Sequence, residues 1–332
     1  RSYVELNNSA RAVHHLAIAL SLSEANTYER SVKKEREWLI PFVKQSLSKS
    51  IVLNKQQLTF LKKIFKNELE KETIELDISL LGQFKLTIGD KKISLSEWKS
   101  TKALMILKYL AANRTQAFIQ REVLIEMLWP NQDLKKTSSR FNMAMSGLRK
   151  TLEPKLLPRA PSSYIERKKD MYRLSRDVKI TIDTELFSHS FALGQKQTAN
   201  PKKALKSYLL ALSYYRGDFL KEDLYEEWCI QNREYFIAQY LKVLNTITDL
   251  YGAKKDYVNA ISFAKKILTV EPFDEGIYRN LMNFYAKIGN LSDVTKTFNA
   301  YERISEQMDC PVGEDMQNLY DRLFKTNNAI ES

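Results

Sequence analysis

The sequence predicts a mainly α-helical fold with a small β component. Apolar residues recur three or four positions apart through most of the 332 residues, which is the period of a helix buried on one side. They alternate in twos only in short stretches after Thr73 and around Tyr164. A chain of this length is expected to hold two or three domains, and an apolar content of 44% is typical of folded ones.

Basic residues are concentrated in the middle of the chain. The net charge is +12, and residues 77–182 hold 21 Lys and Arg against 10 Asp and Glu. Residues 183–332 hold 18 against 21, so the excess of positive charge is local. Residues 131–176 alone carry 12 cations and 4 acids. Such a focused block is the electrostatic pattern of a module that binds a polyanion.

Other function classes find little support in the sequence. No apolar run approaches the roughly 20 residues of a membrane span, and no signal peptide opens the chain. Cys229 and Cys310 are far apart, and the three histidines lack partners at metal-ligand spacing. GxxxxGK[ST], GxGxxG and HExxH are all missing. We therefore predict a cytoplasmic protein that is not an enzyme and uses no cofactor or metal.

Residues 1–72 are predicted to form helices. Ala12, Leu16 and Ala19 fall at helical spacing, and Asn54 is a candidate cap for a later helix. Small residues on paired helices suggest the end of an α-solenoid used for packing or docking. Because the chain starts at Arg1 and not at Met, we expect it to be part of a longer protein.

Strands are predicted where the apolar pattern alternates. A glycine at Gly82 and a Gly-Asp pair at 89–90 separate the first three, and a basic turn of Lys168, Lys169 and Asp170 separates the last two. The predicted strands are residues 74–80, residues 84–88, a short strand starting at Ile93, residues 164–167 and residues 171–174.

Three helices are predicted between these strands. They run from Ser100 or Thr101 to about Asn113, from Gln120 to Leu128, and from Asp133 to Glu153. The second is expected to bury Val123, and the third to bury Phe141, Met145, Leu148 and Leu152. Strands, three helices and a basic hairpin in this order predict a winged helix-turn-helix.

The third helix would enter the DNA major groove and the hairpin would contact the adjacent backbone. Such a basic face, taken alone, is more often only solvated; the flanking elements and the local charge favour DNA. Tyr172 and Trp129 are expected to pack in the core, whereas Met143 suits either packing or DNA contact. The predicted DNA-binding residues are Lys99, Lys102, Lys135, Lys136, Ser139, Arg140, Asn142, Met143, Ser146, Arg149, Lys150, Arg167, Lys168, Lys169 and Arg173, with Arg121 as a further candidate for phosphate contact.

Four sequence runs in this region resemble the OmpR-type DNA-binding domain of the Streptomyces antibiotic regulatory proteins. They are LLGQFKLTIGDKKISL, KALMILKYLAAN, REVLIEMLWPN and SSRFNMAMSGLRKTLEP, and LIEMLWP and SGLRKTL are the most specific. The chain departs from the family at Met171, where a glycine usually precedes the Tyr-Arg-Leu triplet of the wing.

Residues 183–332 are predicted to form stacked helices with a 34-residue repeat. Asp256, Ala260 and Ala264 recur as Asn290, Val294 and Phe298. ALSYYRGDFL, EPFDEGIYRNLMNFYAKIGN and CPVGEDMQNLYDRL resemble the bacterial transcriptional activator domain of the same regulators. Ala286-Lys287 stands where that family usually has an Arg. The resemblance covers roughly residues 76–326.

These observations predict a winged helix-turn-helix flanked by tetratricopeptide-like helical repeats. The domains are a helical segment at 1–72, an OmpR-type winged helix at 73–180 and an activator domain at 181–328. We expect a transcriptional activator that binds promoter DNA, with repeats that form a dimer or contact RNA polymerase; the resemblance implies binding to direct repeats. The alternative is a protein-interaction scaffold whose winged helix docks a protein, for which a basic domain would not be needed.

Overall fold

The computed structural model describes residues 75–328 except 116–117, 155 and 157–159, together with residues 18, 19, 22, 32 and 60. The helices predicted for residues 1–72 therefore fall almost entirely outside the described residues. Within the described residues, those of 76–174 and 180–328 form one compact unit. Its elements are helices with two small sheets, which confirms the predicted fold class. The domain limits at residues 72 and 180 stay predictions.

The first sheet has the strand order β3-β2-β1-β7. β1 pairs antiparallel with β2 and parallel with β7. β7 follows the last two predicted strands in sequence. The prediction that the third strand starts at Ile93 is wrong, because Ile93 is its last residue. β7 was not predicted. The strands are β1 Leu76–Ser79, β2 Lys85–Ile88, β3 Lys91–Ile93 and β7 Ile180–Ile182.

The three predicted helices of the winged helix are confirmed to within one residue at most ends. They are α1 Thr101–Ala112, α2 Arg121–Leu128 and α3 Leu134–Leu152. The Ser100 hydroxyl accepts a hydrogen bond from the Ala103 amide at 3.3 Å, and Asp133 caps α3. Val123 is 42% exposed, so its predicted burial is wrong; Leu124 and Ile125 fill the core side of α2.

The second sheet is the wing, with the strand order β4-β6-β5. Its strands are β4 Ile119–Gln120, β5 Ile165–Lys168 and β6 Met171–Leu174. Lys168 pairs with Met171, and Lys169 takes the positive φ of the turn, 55°. The hairpin therefore closes without a glycine at position 171, although a non-glycine residue at positive φ carries some strain.

The remaining helices form the C-terminal repeat domain. Asp256 accepts from the Asn259 amide at 3.3 Å, and Asn290, 34 residues later, accepts from the Asp293 amide at 3.1 Å. Ala260, Ala264, Val294 and Phe298 are all buried, as the repeat predicts. The helices are α4 Asp183–Lys196, α5 Pro201–Tyr214, α6 Glu227–Ala253, α7 Tyr257–Leu268, α8 Glu275–Lys287, α9 Leu291–Gln307 and α10 Glu314–Asn328.

The end of β1 is joined directly to the helical domain. The Asp183 carboxylate accepts the Leu80 amide at 2.8 Å and the Leu81 amide at 3.1 Å. Burial raises the pKa of Asp183, while these amides and Arg216 act in the opposite direction. Leu81 also forms an isolated antiparallel bridge with Phe219. The winged helix and the repeats therefore share a hydrogen-bonded junction.

Candidate nucleic-acid interface

Helix α3 has one buried side and one exposed side. Phe141 and Leu148 are fully buried, and Met145 and Leu152 are nearly so. Met143 is 68% exposed, so it does not pack in the core. The predicted stripe is confirmed, and the opposite side carries cations and small polar residues. Its exposed members are Lys135, Lys136, Ser139, Arg140, Asn142, Met143, Ser146 and Lys150.

The first turn of α3 is organised by Asp133. Its carboxylate accepts hydrogen bonds from the backbone amides of Lys135 at 2.7 Å and Lys136 at 3.2 Å. Both lysines are exposed. The Arg140 guanidinium lies 5.0 Å from the ring centre of Trp129 and donates to Gln132 at 2.9 Å. Trp129 itself is buried, as predicted.

Arg121 connects α2, α3 and the turn of the wing. Its amide donates to the Asp170 carbonyl at 2.8 Å, and its Nη2 donates to the Ser138 carbonyl at 3.2 Å. The guanidinium also lies 5.4 Å from the Phe141 ring centre, and Nη2 is 3.4 Å from the Asn142 Oδ1. Sequence reasoning treated Arg121 as a phosphate contact and missed this positioning role, because it depends on side chains distant in sequence.

The wing is attached to α3 through aromatic packing. The Tyr172 and Phe141 rings meet edge to face with their centres 5.6 Å apart, and both are buried. Lys168 and Lys169 at the tip are exposed. Arg167 is exposed too, and its Nη2 lies 3.2 Å from the Asp170 carboxylate. The tip therefore presents cations beside the exposed side of α3.

Arg173 has a carboxylate partner within the wing. Its Nε and Nη2 donate to the same Glu166 oxygen at 2.8 and 2.6 Å. The guanidinium also lies 4.3 Å from the Phe118 ring centre. Because Glu166 balances the charge, Arg173 has less positive charge to offer a phosphate than Lys168 or Lys169.

A cleft of about 370 Å³ separates α3 from the wing. Arg149 is half-buried at its wall and donates from Nη2 to the Ala160 carbonyl. The Glu153 carboxylate accepts from the Ser162 hydroxyl and the Ser163 amide, which holds the next segment against the end of α3. The cleft is lined by Asn142, Met145, Ser146, Arg149, Ala160, Pro161, Ser162, Ile165, Arg167 and Tyr172.

Two predicted residues lie outside both α3 and the wing. Lys99 is exposed before α1, and the Lys102 Nζ lies 3.8 Å from the Met105 sulfur. The structure thus brings Asn142, Ser146, Arg149 and Arg167 together but not the two lysines. No group of three or more metal-ligating side chains occurs among the described residues. Among the helices of the described residues, none has the length and apolar composition needed to cross a membrane.

Comparison with known proteins identifies the C-terminal domain. Residues 182–324 match the family model of the bacterial transcriptional activator domain. The structure of Mycobacterium tuberculosis EmbR in complex with a low-affinity phosphopeptide is similar to the chain with a TM-score of 0.60 and 19% identity. The match covers 76% of this chain and 65% of that one. No curated protein matches the chain in sequence.

The activator-domain match confirms the predicted resemblance to the Streptomyces antibiotic regulatory proteins. The match is confined to residues 182–324, which are similar to a domain of bacterial transcriptional activators. At 19% identity the EmbR likeness shows the fold, a winged helix with its N-terminal sheet followed by helical repeats. The activator domain begins at the junction where Asp183 binds the amides after β1.

Proposed function

We propose that this protein is a sequence-specific DNA-binding transcriptional activator. The observation that carries the proposal is the exposed side of α3, where cations and small polar residues stand opposite a fully buried apolar stripe. A helix of this kind beside a basic hairpin suits a major groove and its flanking phosphates. The match to a transcriptional activator domain, which follows the winged helix in the same chain, supports a role for DNA binding in transcription. The activator would act on promoters in the bacterial cytoplasm, without catalysis.

Base recognition is assigned to the middle of α3. Asn142 is exposed, and its amide can form two hydrogen bonds with adenine once the weak 3.4 Å contact with Arg121 is released. Ser139 and Ser146 can bond to several base edges. Met143, at 68% exposure, supplies an apolar surface for a thymine methyl group.

Phosphate contacts are assigned to exposed lysines on both sides of that segment. Lys135 and Lys136 stand at the start of α3, and Lys150 near its end. Lys168 and Lys169 extend from the wing. Contacts of this type raise affinity for every sequence and make binding sensitive to salt.

The test is binding of the full chain to promoter duplexes at several salt concentrations. About six phosphate contacts would cost roughly a thousandfold in affinity between about 50 and 200 mM salt. Asn142→Ala is expected to cost about 1–3 kcal/mol at one base pair, whereas Lys168→Ala should weaken all sequences alike. Lys254→Ala, an exposed lysine of the activator domain, is the matched control. If no variant changes binding to any duplex, the assignment of α3 fails.

The segment before α6 is our candidate for contact with RNA polymerase. Tyr225 is 97% exposed and Leu224 58% exposed, and acidic Glu222 and Glu227 lie beside them. The segment is anchored because the Asp223 carboxylate pairs with Lys108 at 2.6 Å and its carbonyl accepts from Arg233 at 3.3 Å. An exposed aromatic on an anchored acidic segment suits a partner surface that is basic around an apolar pocket.

Tyr225→Ala should lower activated transcription while DNA affinity stays unchanged. The measurement is transcription in vitro with purified RNA polymerase, together with duplex binding by the same preparations. Val258→Ala, which also removes an exposed apolar side chain from the activator domain, is the control. If Tyr225→Ala leaves activated transcription unchanged, Tyr225 does not contact RNA polymerase as proposed.

Two copies on direct repeats would complete the arrangement. The support is the domain order, in which helical repeats, a fold suited to binding other proteins, follow the DNA-binding unit along the chain. Sedimentation of the chain with duplexes that carry one or two half-sites distinguishes the cases. Cooperative loading of two chains supports the dimer, and independent loading at each half-site contradicts it.

A further inference from the structure

We propose that the cleft between α3 and the wing binds a phosphate group, with Arg149 and Arg167 as its principal ligands. This inference deepens the proposed function, because the phosphate of a DNA strand lying between α3 and the wing is one source of that group. It also gives Arg149, one of the predicted DNA-binding residues, the specific role of holding a phosphate.

The first observation concerns the counter-ions of partly buried cations. Lys108, Arg114 and Arg173 are each paired with a carboxylate, at 2.6, 2.8 and 2.6 Å. Arg149 is also half-buried and, like Arg121 and Arg233, forms no ion pair with a described residue. The nearby Glu153 carboxylate is used by Ser162 and Ser163 instead. A partly desolvated cation without a counter-ion is costly, and a bound anion removes that cost.

The second observation is the orientation of the Arg149 guanidinium. Nη2 donates to the Ala160 carbonyl, which fixes the side chain at the cleft wall. Nε is buried and has no hydrogen-bond partner among the described residues. No hydrogen bond described for Arg149 uses Nη1. The side chain is thus held in place by one N–H while another nitrogen is left to donate to a ligand.

The third observation is the composition of the cleft. The wing contributes Arg167, and α3 contributes the exposed Asn142 amide and Ser146 hydroxyl. No carboxylate occurs among the lining residues that the structure describes. The Arg167 ion pair with Asp170 has both side chains more than 60% exposed, at 63% and 65%, so solvent screens it and a ligand can displace it.

Two arginines and two neutral polar side chains that line the same cleft favour a phosphate over other ligands. The planar fork of arginine matches phosphate oxygens, and the absence of carboxylates in the described lining argues against a cation. The phosphate is either a backbone phosphodiester or part of a small phosphorylated molecule. Both have the same local chemistry, so the experiment needs one arm for each.

The first arm replaces single DNA phosphates by neutral methylphosphonates along the bound duplex. For the wild type we expect one position, beside the wing, to lose about tenfold in affinity when neutralised. In Arg149→Gln, neutralising the same phosphate should cause no further loss of affinity. The slope of log K against log salt should also fall by about one for this variant. Arg149→Lys should restore the slope, and base preference should remain unchanged in all of them.

The second arm titrates the chain with inorganic phosphate and no DNA. Binding is followed by nuclear magnetic resonance of the arginine side-chain N–H groups, which separates Arg149 and Arg167 from the rest. If inorganic phosphate shifts these groups while every methylphosphonate is tolerated, the cleft takes a phosphorylated small molecule. If both arms respond, the ligand is the DNA backbone, with free phosphate as a weak competitor.

Arg167→Gln keeps the test valid if Arg149→Gln fails to fold, because Arg167 is exposed on the wing. It should reproduce the loss of the methylphosphonate effect. The inference is overturned if neither arm responds, or if Arg149→Gln changes base preference and leaves the salt slope intact. If the chain binds inorganic phosphate in the cleft but binds no duplex, the proposed DNA-binding function is refuted and the phosphate site is not.

Discussion

Two glycines inside helices have opposite surroundings, although their sequence context looks alike. A Cβ at Gly194 in α4 would lie 2.7 Å from a ring carbon of Tyr208, a buried side chain of α5. A Cβ at Gly147 in α3 would meet only the Ala103 methyl at 3.7 Å, an ordinary contact. The first glycine allows two helices to approach, and the second does not.

We therefore expect Gly194→Ala to destabilise the protein by about 1–3 kcal/mol, since the Tyr208 ring has to move. Gly147→Ala should stabilise it by up to about 1 kcal/mol, because alanine has the higher helix propensity. Thermal unfolding of both variants checks the pair. Equal shifts of the two midpoints in the same direction would contradict the packing at Gly194.

Individual residues were predictable where a periodic pattern decided their position. The burial of the four predicted residues of α3 follows from spacing alone, and so does the exposure of the lysines at its start. The surroundings of Arg149 and Arg173 were not predictable, because their partners Ala160 and Glu166 depend on how the chain folds back after α3. Val123 was wrongly placed in the core, since an apolar side chain beside two others does not reveal which one faces outward.

Among elements, α3 was predicted best and the short strands least. Asp133 and Glu153 delimit α3 as the sequence suggested. β4 spans only Ile119–Gln120 and β7 only Ile180–Ile182, which is too short for alternation to show. Each forms by pairing with a strand distant in sequence, β4 with β6 and β7 with β1. No local pattern contains that information.

The start of α3 depends on the Asp133 cap, and its loss should affect DNA binding. Asp133→Ala removes the acceptor for two backbone amides and is expected to cost about 1 kcal/mol. Amide hydrogen exchange at Lys135 and Lys136 should become faster, and DNA affinity should fall. Asp256→Ala removes the same kind of cap from α7 and should leave DNA affinity unchanged. Equal effects of both variants on DNA binding would refute a local role for the cap.

At the scale of the whole molecule, a partly buried ion pair joins the winged helix to the activator domain. The Lys108 side chain is 5% exposed and that of Asp223 21% exposed, and the Lys108 Nζ also lies 5.0 Å from the Phe84 ring centre. The exposed side of α3 and the segment that holds Tyr225 therefore belong to one connected body. Under the proposed function, a bound promoter would then set the direction in which Tyr225 points.

Asp223→Ala should destabilise the protein by about 3–5 kcal/mol, because it leaves the Lys108 ammonium buried without a partner. The double variant Lys108→Met with Asp223→Ala should cost clearly less than the sum of the two single changes. Urea unfolding of the three variants measures this coupling. Additive losses would show that the pair does little to hold the two domains together.

The central claim is that the exposed side of α3 reads DNA sequence, and selection from a random pool of duplexes tests it most directly. The full chain should enrich a defined motif, and Asn142→Ala should relax the preference at one position of that motif. The Lys254→Ala control should enrich the same motif as the wild type. If the wild type enriches no motif, or if Asn142→Ala leaves every position unchanged, α3 does not read DNA as proposed.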